Sequence, residues 1–231
     1  MHKYYFFFQR FLKTIFYSES RFTASMHVEA LQVLLQGLCG GRQEKLKIHE
    51  ICLKSGTNLG VEASEVHLLC SLSQTDPVWT VRHVGGPMRG AGAEQLPAHV
   101  RSVLESSISS NALRFFYALG YKMDYELVRI GYVFQFQRVV PITVTATMLC
   151  KVPKLHAIDE AIPVTPGIQL VELTAPASTE NYSEAVGAIS SFAEHLAPLI
   201  HLSKPGVPTG VVPTASTAAA SLVSRGAMKV S

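Results

Sequence analysis

Leu119-Gly120-Tyr121-Lys122-Met123-Asp124-Tyr125-Glu126-Leu127, together with the alternating runs behind it, decides the fold. A short apolar helix carrying Leu113, Phe116 and Tyr117 runs into Gly120, the residue that adopts the left-handed conformation past a helix end at least cost. Beyond it Val128, Ile130, Tyr132, Phe134 and Phe136 share one face while Arg129, Gln135 and Gln137 share the other, the period of a half-buried strand. After Arg138-Val139-Val140-Pro141 the alternation resumes, with Ile142, Val144, Ala146 and Met148 against Thr143, Thr145 and Thr147. Two long alternating strands and a tight connection predict an antiparallel hairpin, and the hairpin itself carries no chemistry.

Working outward, Val28, Leu31, Leu35, Leu38 and Cys39 form one helical stripe over His27–Cys39, with Ser25 as N-cap and Gly40-Gly41 as the stop. Strands are expected over Glu44–Lys54, Glu65–Leu72, Val78–Val84, Val100–Ile108 and Ile168–Thr174, with loops at 55–60 and at Gly85–Gly92. The last element is a helix on which Val186, Ile189, Phe192 and Leu196 align. Asn181 with Glu184 forms an Asx capping box, and Pro198 is expected to end or kink the helix. Consecutive strands outnumber helices, which gives an α+β protein, mainly β: an antiparallel sheet closed or nearly closed, with helices near the N-terminus, mid-chain and the C-terminus packed on it.

Composition excludes several classes. Apolar residues make up 48% and charged residues 16% of 231, enough for a large core and too apolar for a disordered chain. The net charge of +3 is scattered, whereas a nucleic-acid face needs a basic stripe; direct nucleic-acid binding is not expected. Cys39, Cys52, Cys70 and Cys150 are widely spaced and read as reduced thiols. Residues 1–25 are crowded with Tyr4, Tyr5, Phe6, Phe7, Phe8, Phe11, Phe16 and Tyr17, too short and too charged for a membrane span. Its basic residues, late serines and lack of an acid before Glu19 give a weak transit-peptide look, but two other readings of this atypical segment are preferred: a substitute barrel strand at Lys3–Phe11, or a chain start at Met26. Residues 26–203 are expected to form the barrel domain, and the Pro-, Ala-, Ser- and Thr-rich residues 204–231 a disordered tail.

The strings Trp79–Gly86, Gly120–Glu126, Gln169–Leu173 and Phe192–Leu202, in this order along the chain, resemble the Mediator complex subunit 18 family in its flowering-plant form. The resemblance runs from His27 to Leu222 and leaves residues 1–25 uncovered. It implies a β-barrel and a non-enzymatic subunit of the Mediator head module, a nuclear coactivator bridging transcription factors and RNA polymerase II. Implied partners are Mediator subunit 20, a related barrel, and a C-terminal helix of subunit 8. No membrane contact is implied, and the partner interface is unknown at residue level. Tyr132, Phe134 and Phe136 are expected to line the barrel interior, a helix groove being the alternative.

The implied barrel is also similar to that of the metal-dependent RNA triphosphatases, so a phosphohydrolase is the rival. Such an enzyme holds its cation with glutamates alternating along strands, and this chain has no Glu-x-Glu. Glu62 and Glu65 are three apart beside a loop; Glu172 stands alone and reads as a barrel residue paired with Lys or Arg. His49-Glu50 opens like a zinc-protease motif but lacks a second His at i+4 and lies in a strand. Gly86–Gly92 has glycines but no Gly-Lys-Ser/Thr, and Cys150 has no activating neighbour in sequence. No catalytic, cofactor or metal residue is assigned from sequence.

Overall fold

Alternation and helical spacing become elements close to where the residues demand them. A computed structural model describes residues 10–18, 25–40, 43–56, 64–74, 78–88, 96–164, 166–178, 180–197, 199–200 and 202. The order is β1 (Arg10–Ser18), α1 (Ser25–Cys39), β2 (Glu44–Ser55), β3 (Glu65–Ser71), β4 (Trp79–Pro87) and β5 (His99–Ile108). There follow α2 (Ala112–Ala118), β6 (Tyr121–Phe136), β7 (Ile142–Lys151), β8 (Ile162–Pro163), β9 (Leu170–Ala177) and α3 (Tyr182–Leu196). The tail expected at 204–231 and the residues before Arg10 lie outside the described residues. Most of the strand expected at Lys3–Phe11 lies outside the described residues; the strand described ahead of residue 26 is Arg10–Ser18, and it belongs to the sheet.

Hydrogen-bonded neighbours run β6–β2–β3–β4–β5–β1–β9–β7, and β7 pairs back onto β6 from Phe136↔Ile142 to Leu127↔Lys151. Every pairing is antiparallel, and the ladder returns to the strand where it began, so eight strands form a barrel. The two-residue β8 pairs with Cys150 and Lys151 of β7, beyond the stretch that pairs with β9. β1 bridges β5 and β9. Gly120 takes φ +87 and donates its N–H to the Tyr117 carbonyl at 2.9 Å, turning α2 into β6.

The apolar face of the hairpin points out of the barrel, not into it. Phe134, Phe136, Ile142 and Val144 join Val171 and Leu173 of β9, Leu31 and Leu35 of α1 and Ile189, Phe192 and Leu196 of α3 in one buried cluster. The Phe136 and Phe192 rings meet at 4.6 Å between centroids. Each fully buried Leu or Phe here contributes roughly 1.5–3 kcal/mol. A smaller cluster of Ile51, Leu53, Val66 and Leu68 is covered by Leu113 and Phe116 of α2. The expectation that Phe134 and Phe136 line the interior is therefore corrected: helices cover the outer face and make it the core. Tyr132 packs partly buried against the same cluster, and Ile130 is exposed.

Two local expectations also change. β4 continues through Gly85 and Gly86 to Pro87, where a loop was expected, because β5 keeps pairing past a register shift between Val84 and Pro87. Asn181 does not cap α3 with its side chain; its Oδ1 accepts from the Ser178 backbone N–H at 2.6 Å and the Ser178 hydroxyl at 2.9 Å. That carboxamide closes the turn before the helix.

Candidate functional site

Residues of opposite parity to the core face look inward. Ile48 and Glu50 of β2, His67 of β3, Arg82 of β4, Arg101 of β5, Arg129 of β6, Thr143, Thr145 and Thr147 of β7, and Glu172 of β9 line a lumen of about 730 Å³. Among the described residues, these charged and hydroxyl side chains share the lumen with Leu46, Leu69, Val84 and Val133.

Arg129 organises it. Its Nε donates to Glu50 Oε2 at 2.6 Å and its Nη1 to Glu172 Oε2 at 2.8 Å, so one guanidinium ties β2, β6 and β9 across the interior. The planar fork of Arg suits such a double contact, and Lys would not reproduce it. Glu50 Oε1 contacts His67 Nδ1 at 2.9 Å, and the Tyr125 hydroxyl donates to the same oxygen at 3.4 Å. Thr145 Oγ1 donates to Glu172 Oε2 at 3.4 Å. His67 Nε2 meets Glu65 Oε1 at 2.9 Å, and Arg82 pairs with Glu105. Glu172 is thus an Arg-paired barrel residue, as its isolation among apolar neighbours indicated.

Burial pushes the Glu50 carboxyl up, yet the His67 hydrogen bond and the Arg129 charge outweigh it and hold it down at about 2. Burial and the Glu50 charge raise the Tyr125 phenol above its ordinary range. Burial, reinforced by the Glu65 charge, lifts the Cys52 thiol to about 12. These are the shifts of an ionised pair held in place, with neighbouring acids kept protonated. A hard cation needs free carboxylate oxygens; both Glu50 oxygens and Glu172 Oε2 are engaged by basic or hydroxyl groups.

The other residues weighed from sequence fall elsewhere. His49 is buried on the face opposite Glu50 and Ile48, outside the lumen, with Nε2 2.7 Å from Glu126 Oε1. Cys52, Cys70 and Cys150 are buried, and all four cysteines are unpaired; burial raises the Cys150 thiol. Gly86 is in β4, while Glu62 and residues 89–92 lie outside the described residues. Sequence reasoning missed Arg129 as the organiser and Glu50 as its partner. The available signal was an Arg in the middle of a sixteen-residue strand, on the face taken to be solvated.

Fold and lumen define a helix-clad antiparallel barrel whose interior charges brace the strands against one another. The profile of the Med18 protein family matches residues 42–206, and the chain belongs to that family. It is 62% identical over 202 residues to Mediator of RNA polymerase II transcription subunit 18 of Arabidopsis thaliana, covering 87% of this chain and 92% of the relative. The Danio rerio protein of the same description is 32% identical over 184 residues, 77% of this chain and 82% of the relative. Among solved structures, a chain in the Schizosaccharomyces pombe Mediator head module matches with a TM-score of 0.61 at 13% identity, covering 85% of this chain and 98% of that one. At that identity the likeness concerns the fold.

Proposed function

We propose that this chain is a non-enzymatic subunit of the Mediator coactivator, acting in the nucleus within the head module and linking gene-specific regulators to RNA polymerase II. The observation that carries this reading is the 62% identity with the plant subunit across nearly its whole length. The lumen supports it, since its deep carboxylates are bound to Arg129 and not presented to a cation. The outer surface supports it too. Phe115 is 61% exposed and Leu155 62% exposed, with Tyr117, Leu119, Ile162 and Val164 also exposed, and apolar and aromatic side chains of this kind dominate binding energy at protein interfaces.

The proposed partners are Mediator subunit 20, packing barrel against barrel, and a C-terminal helix of subunit 8 laid on the surface by its apolar face. Coexpression of the full chain with both subunits, followed by size-exclusion chromatography with light scattering, tests this. A ternary species containing all three chains is expected. Elution of this chain alone, while the other two associate, would overturn the partner assignment.

A further inference from the structure

Outside the barrel, two imidazoles converge on one buried carboxylate oxygen. Glu126 Oε1 lies 2.7 Å from His49 Nε2 and 2.9 Å from His156 Nδ1. The three come from β2, β6 and the connection between β7 and β8. Glu126 and His49 have side chains only 5% and 7% exposed, whereas His156 is 44% exposed. The backbone N–H of His156 donates to the other oxygen, Glu126 Oε2, at 3.0 Å. That bond fixes the carboxylate so that Oε1 is the atom presented to both rings. His156 holds this position at φ +61, a conformation that costs a non-glycine residue energy. The His49 ring packs edge-on against Trp79 at 5.4 Å.

We propose that His49, Glu126 and His156 form a site for a zinc-class divalent ion, which clasps the β7–β8 connection onto β2 and β6. Two imidazole nitrogens and one carboxylate oxygen are a ligand set that zinc takes in tetrahedral three-ligand sites, with water in the fourth position. Zinc bonds of about 2.0–2.2 Å at tetrahedral angles place ligand atoms about 3.3 Å apart, so each imidazole nitrogen must draw back from Glu126 Oε1 by about 0.5 Å. His156, the exposed member, moves most freely, and the buried His49 ring must draw back from the carboxylate as well. Both imidazoles line a cavity of about 240 Å³ shared with Trp79, Ser109 and Ser110, which leaves room for the fourth ligand. The Glu126 Oε2 bond to the His156 backbone is the outer support that orients a metal-bound carboxylate.

A second convergence, Cys52 with Glu65 and His67, is the competitor. There His67 already places one ring nitrogen on Glu50 and the other on Glu65, and no nitrogen is left for an ion without breaking the lumen network.

The test uses the full chain, stripped with a chelator and titrated with zinc against a chromophoric competitor, and with cobalt for its visible spectrum. One equivalent is expected to bind with a tetrahedral nitrogen–oxygen cobalt spectrum. His156→Ala is expected to weaken binding roughly 100-fold or more. Its circular dichroism should stay native because the side chain is exposed. Glu126→Gln serves as a second variant with the same expected loss, and Cys52→Ser should bind like the parent. Absence of saturable binding, binding that His156→Ala leaves unchanged, or a thiolate-to-cobalt band lost in Cys52→Ser would each overturn the proposal.

Discussion

Replacing Arg129 with Met keeps much of the side-chain volume in the lumen but removes the guanidinium that joins Glu50 to Glu172. Two carboxylates then face the lumen without their counter-ion. Removing one partner of a buried pair costs about 3–5 kcal/mol. The lumen has room for water and Arg129 is 22% exposed, which places the expected loss near the lower end, about 3 kcal/mol. The pH dependence supplies the sign. Glu50 has its folded carboxyl lowered to about 2 from 4.5, so its contribution is full above pH 4.5 and disappears as pH falls from there toward 2. Losing Arg129 removes one of the interactions that depress this carboxyl. The Arg129→Met penalty should therefore be largest near neutrality and shrink as the medium is acidified through about pH 4. Adding Glu172→Gln to Arg129→Met should recover part of the loss, because one of the stranded charges is then gone. Urea denaturation followed by circular dichroism, at neutral and acidic pH, measures all three. A penalty below about 1 kcal/mol, or one independent of pH, would refute the bracing role.

Three further outcomes follow from the packing. Phe136→Ala removes the ring that meets Phe192 under α3 and should cost about 3–5 kcal/mol in the same denaturation assay. Gly131→Ala would place a Cβ 2.0 Å from the Ala146 carbonyl oxygen of β7, so β6 and β7 must part; a loss above about 2 kcal/mol is expected, with faster amide exchange along the hairpin. Gly120→Ala forces a side chain into φ +87 at the α2–β6 junction and should lower stability by about 1–2 kcal/mol, read as a lower melting temperature.

The hairpin was legible in the sequence because a period-two pattern marks its strands and Gly120 marks the turn into them. Which face lay inside was not. Alternation separates two faces, and a barrel covered by helices buries its outer one, so Phe134 and Phe136 became core while Arg129 became lumen. α1 and α3 carried the clue, since stripes such as Leu31–Leu35 and Ile189–Phe192–Leu196 must cover an apolar sheet surface. Glu172 was readable as an ion-paired residue, but its partner lies on another strand, and strand order decides which residues meet. The same holds outside the barrel: His49 found no second histidine at helical spacing, yet the topology brings His156 to it from the β7–β8 connection. Motif spacing captures ligands on one element only.

The central claim is that this barrel offers surfaces to other proteins and that its lumen carboxylates hold strands together through Arg129 instead of transforming a substrate. Release of inorganic phosphate from triphosphate-ended RNA by the purified full chain, with magnesium or manganese, tests it most directly. The account predicts no release above the protein-free control. Metal-dependent turnover that disappears in Glu50→Gln or Glu172→Gln, with the fold intact by circular dichroism, would contradict it.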